Sequence, residues 1–318
     1  MHAVSLRYLA EVARLGSIRR AADSLHVASS AVNRQVLKLE AEIGTPLFER
    51  SRAGVRPTSA GEVMLRHVRE TLADYQRTLA EIAGLSGHVT GSVRIISLES
   101  LALRFMPAAV EELSARYPQV TFSVLVVDQR EIADELRSER SDFGVLFVDR
   151  QFDGIDVIDD IRTATGVVMR PDHPLAGRRR LKLADCAPYP LVMLHDRSLL
   201  DAAITTELSR SGARLAPRVV ANSIEFIRHM MRSKSSIGGF VTPIGFLEEI
   251  RRGELVHVPL LEPRFSRIGV LVPRRRRQSP PALLAINHIR ARLKAFGREL
   301  EAIAAGRGRT GHPRAEGG

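Results

Sequence analysis

Residues 17–40, SIRRAADSLHVASSAVNRQVLKLE, constrain this 318-residue chain more than any other stretch. Apolar or small residues fall at Ala21, Ala22, Leu25, Val27, Val32, Val36 and Leu39, a spacing that predicts two short helices sharing one buried face. Residues 26–28 leave room between them only for a tight turn. Ser17 is predicted to cap the first helix and Ser29 or Ser30 the second, because a hydroxyl ahead of a helix accepts from its orphan amide N–H groups. Ala21 and Ala22 are small enough to let the second helix cross closely. Its outward positions, Ser29, Ser30, Asn33, Arg34 and Lys38, carry short polar or cationic groups able to meet base edges and phosphates in a major groove. Spacing alone leaves two readings open: a helix-turn-helix with a recognition helix, or an ordinary helical hairpin inside a globular domain.

The flanking residues favour the first. Residues 5–15 predict a preceding helix with Ser5 as its cap and Leu6, Leu9, Val12 and Ala13 facing the pair, which makes a three-helix core. After Leu47 and Phe48 comes ERSRAGVRPTSAG, where Gly54 permits a tight turn. Arg50, Arg52 and Arg56 cluster there in a wing that can flank a phosphate backbone.

These residues resemble the LysR-type transcriptional regulators. The matching positions are Gly16-Ser17, Ala21-Ala22, Leu25, Ala31-Val32, Arg34-Gln35, Leu39-Glu40, Gly44, Leu47-Phe48, Arg50, Thr58 and Ala60-Gly61, in the family's order and nearly without gaps. The recognition helix departs from the pattern: Ala28-Ser29-Ser30 stands where the family usually has Ser-Gln-Pro or Ser-Gln-Ser, and Pro57 stands where it usually has Leu. The resemblance implies a winged helix-turn-helix domain over residues 1–61 that binds double-stranded DNA. It also implies a homodimer or homotetramer, a small-molecule effector and, as the partner in transcription, RNA polymerase.

From Thr58 to residue 88 the pattern is one long helix, begun by Thr58 and Ser59, with Glu62 at capping-box distance from Ser59. Leu65, Val68, Leu72, Tyr75, Leu79 and Ile82 step by three and four as a heptad seam. A second copy of the chain is the expected partner for such a seam, and the resemblance likewise assigns this linker helix, residues 58–88, to dimerisation. A surface helix packed on its own domain is the alternative. Gly84, Gly87 and Gly91 with Ser86 and Ser92 mark a hinge after it.

Beyond the hinge, strands alternate with helices. Strands are expected over 93–96, 120–127, 143–148, 157–169, 191–194, 218–221, 238–241, 255–259 and 268–272. Helices are expected over 101–116, 131–138, 198–211, 224–232, 244–251 and 281–296. Such alternation predicts a parallel α/β sheet. The resemblance, here carried by Gly91, Val93-Arg94-Ile95, Pro107, Tyr117-Pro118, Asp142, Asp172-His173-Pro174-Leu175-Ala176, Ser223, Gly238-Gly239 and Pro243, implies a two-lobed effector domain similar to periplasmic solute-binding proteins. That domain is placed at 89–304, with lobe one at 92–162 plus 267–300 and lobe two at 163–266. Residues 305–318 are expected to form a disordered basic tail.

Ligands of open α/β sheets bind at the carboxyl ends of strands, where helix N-termini offer free N–H groups. That rule selects Ser97, Glu99, Ser100, Asp128, Gln129 and Phe147 from lobe one, and His195, Ser198 and Thr242 from lobe two. In the resemblance, Ser100 takes the place of the effector-contacting Ser or Thr. Ser100, Ser198 and Ser223 read equally well as helix caps. Glu99 would disfavour a purely anionic ligand at the cleft mouth.

Signs of catalysis are few. The ten His residues form no HExxH motif, no Ser stands in a GxSxG elbow, and His173 in its DHP turn reads as structural. No cofactor or metal is expected, and an enzyme is the weakest class, alongside a solute-binding or transport component as the other rival. The single Cys186 excludes an internal disulfide framework and fits a reducing cytosol. With no long apolar run and no secretion signal, the expected location is the cytoplasm, without membrane contact. The net charge is +11, but most of that excess lies in residues 274–318, so charge does not locate the DNA-binding face.

Overall fold

The computed structural model describes residues 3–51, 54–85, 89–129, 131–138, 140–148, 151–194, 217–232, 238–261, 265–274 and 277–305. The chain divides into two compact units, built chiefly from residues 1–91 and from residues 92–318.

The first unit runs α1 (Ala3–Leu15), α2 (Ile18–Leu25), α3 (Ser29–Ile43), a hairpin of β1 (Phe48–Ser51) and β2 (Gly54–Pro57), then α4 (Ser59–Leu85). Its core gathers Leu6, Leu9 and Val12 of α1, Ala21 and Ala22 of α2, Val32, Val36 and Leu39 of α3, and Leu47 and Phe48 of the wing. Ser17 caps α2 as expected, its hydroxyl accepting from the Arg20 N–H at 3.3 Å. The helix ends at His26, whose φ of 55° places a non-glycine residue in the left-handed region and turns the chain toward α3. Gly54, at φ 122°, lies where a Cβ would stand 2.7 Å from the Gly16 carbonyl oxygen, and the Val55 N–H donates to that same oxygen at 3.0 Å. The bare glycine thus lets the wing dock on the turn between α1 and α2.

Three of the expected caps are corrected here. Ser5 lies inside α1, and its hydroxyl donates to Gln35 Oε1 at 3.0 Å, tying α1 to α3. Position 28, not 29 or 30, is the cap of α3, and Ala28 has no side chain to fill it, so Ser29 and Ser30 become the exposed first residues of the helix. Thr58 caps α4 by accepting from the Gly61 N–H at 3.0 Å, while Glu62 pairs with Arg69 at 3.6 Å instead of closing a box with Ser59. A hydroxyl's distance from the first apolar residue fixes a cap only to within a residue, because the chain's path into the helix decides which one meets the N–H groups.

The expected seam on α4 also divides. Leu65 and Val68 are buried in the core of this unit and Leu72 packs against it, whereas Tyr75, Leu79 and Ile82 are exposed. A heptad specifies which face of a helix is apolar but not what covers it, and over its first turns α1 does so.

Among its described residues the second unit holds two five-stranded sheets. One has the order β4 (Val120–Val126), β3 (Gly91–Ser97), β5 (Phe143–Phe147), β12 (Phe265–Pro273), β6 (Ile155–Ala164). The other has the order β11 (Val256–Pro259), β7 (Gly166–Met169), β10 (Gly238–Val241), β8 (Leu191–Leu194), β9 (Pro217–Ala221). Both are mixed, not purely parallel as expected: β3 with β5, β10 with β8 and β8 with β9 are parallel, while β12 runs antiparallel to β5 and β6, and β7 to β10 and β11. The antiparallel strands are those that cross between the sheets. The single strand expected over 157–169 is really β6 and β7, divided at Thr165, so that one stretch of chain feeds both lobes. At the crossing the Leu260 N–H donates to the Thr165 carbonyl at 3.2 Å, holding the two connecting segments side by side.

Among the described residues the helices of this unit are α5 (Glu99–Ala102), α6 (Phe105–Arg116), α7 (Ile132–Arg137), α8 (Leu183–Cys186), α9 (Ile224–Arg232), α10 (Leu247–Arg251) and α11 (Pro280–Ala304). The helix expected from residue 101 begins earlier and breaks at Leu103 and Arg104. That expected from 244 opens as a 3-10 turn at Pro243–Phe246 before α10, and the last one is longer than expected. The helix expected over 198–211 and the tail beyond residue 305 lie outside the described residues. No helix among the described residues is long and apolar enough to cross a membrane.

Candidate functional site

Helix α3 presents two unlike faces. Val32, Val36 and Leu39 seat it in the core, leaving Ser29, Ser30, Arg34, Leu37 and Lys38 exposed on the other side. Lys38 stands 4.0 Å from Glu42, a pairing too loose to withdraw it. Gln35 faces α1 through Ser5. Asn33 is half-buried, its amide oxygen enclosed without a hydrogen-bond partner among the described residues, so it is less available than its neighbours. In the wing, Phe48 pairs with Pro57 and Ser51 with Gly54, which places Arg50 and Arg56 on exposed positions of a rigid hairpin. Arg52 lies outside the described residues.

Two carboxylates brace this surface from behind. Glu40 Oε1 accepts from the Leu47 and Phe48 N–H groups at 2.8 and 3.1 Å, fixing the start of the wing to the end of α3. This role, invisible in the spacing, explains why a carboxylate occupies that position. Glu11 accepts from Arg14 Nε at 2.9 Å and from the Ser24 hydroxyl at 2.6 Å, joining α1 to α2. The Arg14 hydrogen bond, assisted by Ser24, holds its pKa down at about 2.

At the strand ends of the second unit, the expected contacts turn largely toward their own chain. The buried Ser97 hydroxyl donates to the Leu98 carbonyl at 3.2 Å. Buried Gln129 donates through Nε2 to the Phe147 carbonyl at 2.7 Å, linking the end of β4 to the end of β5. Ser100 lies within α5, not ahead of it, and is buried. Asp128 is exposed and Phe147 half-buried, while Thr242 is buried at the start of the 3-10 turn. His195 and Ser198 lie outside the described residues. Ser223 does cap a helix: its oxygen accepts from the Phe226 N–H at 3.3 Å at the start of α9. Glu99 reaches across to the same place, accepting from the Ser223 hydroxyl at 3.0 Å and the Ile224 N–H at 2.9 Å. Nearby, Arg104 pairs with Glu248 at 2.9 Å, and Arg228 donates to the Gly245 carbonyl at 2.7 Å.

Two of the buried titratable groups in the second lobe have strongly shifted pKa values. Cys186 is buried in the lobe's core, and burial pushes its thiol up to about 11. His257 on β11 is buried, neither ring nitrogen has a hydrogen-bond partner among the described residues, and desolvation lowers its pKa to about 4. His173 Nδ1 accepts from the Leu175 N–H at 3.1 Å, a turn-holding role. Among the described residues no group of three His, Cys, Asp or Glu is placed to hold a metal.

The model of the bacterial regulatory helix-turn-helix protein, lysR family, matches residues 4–62, and that of the LysR substrate binding domain matches residues 86–294. The chain belongs to the LysR family. It is thus a DNA-binding transcriptional regulator with an effector-binding domain in its carboxy-terminal part. LysR relatives include a hydrogen peroxide-inducible genes activator of Pectobacterium carotovorum subsp. carotovorum, 26% identical over 86% of this chain and 90% of that one. Among solved structures, a full-length OxyR variant from Pseudomonas aeruginosa superposes with a TM-score of 0.69 at 19% identity, covering 98% of each chain. CbnR, solved in complex with its target DNA, superposes with a TM-score of 0.63 at 21% identity, over 92% of this chain and 100% of that one. At these identities the superpositions speak for the fold.

Proposed function

We propose that this LysR regulator inserts the amino-terminal part of α3 into the DNA major groove, with Ser29, Ser30 and Arg34 meeting base edges and Lys38, Arg50, Arg52 and Arg56 holding phosphates. The observation that carries this reading is the exposed polar face of α3, set on an apolar core and flanked by the arginines of the wing. CbnR was solved with DNA bound, which supports the same use of the fold here. The exposed Tyr75, Leu79 and Ile82 of α4 are the surface through which two copies associate as a homodimer, or two dimers as a homotetramer. A twofold protein reads a partly palindromic operator with half-sites on one DNA face. The regulator acts in the cytoplasm and passes its signal to RNA polymerase.

The signal is a small molecule held reversibly between the lobes, without a cofactor and without turnover. Asp128, Phe147 and Thr242 are the described residues that remain as candidate contacts for it. One relative is named as an activator of hydrogen peroxide-inducible genes, and sensing of peroxide by a thiol is not part of the reading for this chain. Such sensing needs a reachable thiolate, and the only cysteine in this chain is buried with its pKa near 11.

Selection of genomic fragments by the full chain tests the reading. It should enrich a partly palindromic site whose occupancy falls steeply with salt. Equal retention of all fragments, or of none at low salt, overturns it. Arg34→Ala should change which fragments are enriched, whereas Arg50→Ala should weaken all of them alike.

A further inference from the structure

Glu99 begins α5 at the end of β3, in the first lobe, yet both of its carboxylate oxygens are engaged by the second. Oε1 accepts from the Ser223 hydroxyl at 3.0 Å and lies 3.5 Å from the Glu225 N–H; Oε2 accepts from the Ile224 N–H at 2.9 Å. These donors are the cap hydroxyl and the first amides of α9, a nine-residue helix. Because the Ser223 oxygen accepts from the Phe226 N–H, its one proton is left to point at Glu99. A carboxylate ringed by a helix's leading N–H groups and a hydroxyl is what proteins build to hold a free anion, with the helix dipole adding attraction. Here the anion is covalently part of the opposite lobe. The surroundings agree with a fitted contact: a Cβ on Gly245, in the 3-10 turn of lobe two, would lie 3.7 Å from Ser100 Cβ, and Arg104 of lobe one pairs with Glu248 of lobe two.

We propose that Glu99 is a tethered ligand: its carboxylate fills the anion seat at the start of α9 and latches the two lobes without any effector. This rests on the reading of the interlobe region as the effector site and narrows it. A small free carboxylate finds this seat occupied, so the regulator's effector does not seat a carboxylate there. Instead it acts at the lobes by drawing Glu99 away from α9, for which a cationic or hydrogen-bond-donating group is the suited chemistry.

The test uses the full chain, Glu99→Ala and Glu99→Gln, with sodium acetate as probe against sodium chloride at equal ionic strength. Amide exchange at Ile224 and Glu225 and the thermal midpoint of the lobes are the two readouts. In the unaltered protein these amides should be protected and acetate should act no differently from chloride. Glu99→Ala should exchange there about tenfold faster, the loss of one charge-assisted hydrogen bond. Acetate should restore its protection and raise its midpoint, because the vacated seat has both the donors and the room. Glu99→Gln should also exchange faster but ignore acetate, since the amide fills the space, lacks the charge and keeps only one of the two acceptor oxygens. Unchanged exchange in both variants, or an equal acetate effect on the unaltered protein, overturns the latch. Should Glu99→Ala fail to fold, exchange in Glu99→Gln decides by itself. None of these readouts involves DNA or a natural effector, so a latch that is present in a protein no metabolite regulates would sink the effector reading alone.

Discussion

In the DNA-binding unit the polar groups of interest stand on the outside of an apolar core: Ser29, Ser30, Arg34, Lys38 and Arg50 are exposed, and the core beneath them is built from Leu, Val, Ala and Phe. In the two-lobed unit several of the corresponding groups are used by the chain itself. Ser97 is bonded to Leu98, Gln129 to Phe147, and Glu99 to the start of α9. One region offers its chemistry to a partner that arrives from outside. The other holds much of its chemistry in hydrogen bonds within the chain. The contrast extends to charge, since the first unit relies on surface ions and the second buries a neutral imidazole.

Acid should separate the two regions, and this is the largest effect expected. His257 has its pKa lowered from 6.5 to about 4 in the folded lobe, so folding favours its neutral form. That stabilisation is fully present above pH 6.5 and is lost as pH falls from there toward 4, about 3 kcal/mol in all. Glu11 in the first unit is shifted from 4.5 to about 2, so its contribution persists above pH 4.5 and fades only as pH falls toward 2. Chemical denaturation followed across pH should therefore show the lobes weakening first, and His257→Leu should flatten their loss between pH 6.5 and 4. An unchanged slope in that variant would refute the assignment.

Next in size is the seating of α4. A Cβ on Gly61 would stand 2.0 Å from the Leu47 carbonyl oxygen, backbone that cannot turn aside. Gly61→Ala should destabilise the first unit by about 1–3 kcal/mol and leave the lobes' unfolding unaltered. Denaturation with probes in each unit would reveal whether the damage is confined in this way.

Within the DNA-binding surface, Arg34→Ala should cost about 1–3 kcal/mol of discrimination between operator and mismatched sites. Arg50→Ala should lower the slope of affinity against salt by about one phosphate contact while leaving the rank order of sites intact. Competition binding at several salt concentrations distinguishes the two. If both substitutions act alike, α3 is not the reading element. The smallest effect belongs to Cys186. Its replacement by Ala should cost about 1 kcal/mol through lost packing, and peroxide should leave the DNA affinity of the unaltered protein unchanged.

Much of the first unit was legible because each of its signals is local. Ala21 and Ala22 against Val32 and Val36, Ser17 ahead of a helix, and arginines around Gly54 all lie within a few residues of what they determine. Where a signal depended on a distant partner, legibility failed. Glu40 gives no hint in its own surroundings that it will hold the Leu47 and Phe48 amides. The heptad on α4 marks one apolar face, but the division between Leu72, packed on the first unit's core, and the exposed Tyr75 depends on how far that core extends along the helix. In the second unit, alternating strands and helices announce an α/β domain. The antiparallel course of β7 and β12, and the break at Thr165 inside a stretch expected to be one strand, depend on which sheet each half joins.

By itself the order of residues determined the helix pair, the wing, the long helix and the α/β character of the remainder, because periodicity and turn chemistry act over a few residues. Only the tertiary structure decided which polar groups stay available. Glu99, next to Ser100 at a strand end, reads as a lining group of a cleft, and its engagement with Ser223 and Ile224 spans more than a hundred residues of chain. Hydrogen bonds form between whatever donors and acceptors the packed lobes bring together, and no local pattern encodes a partner supplied by the other lobe.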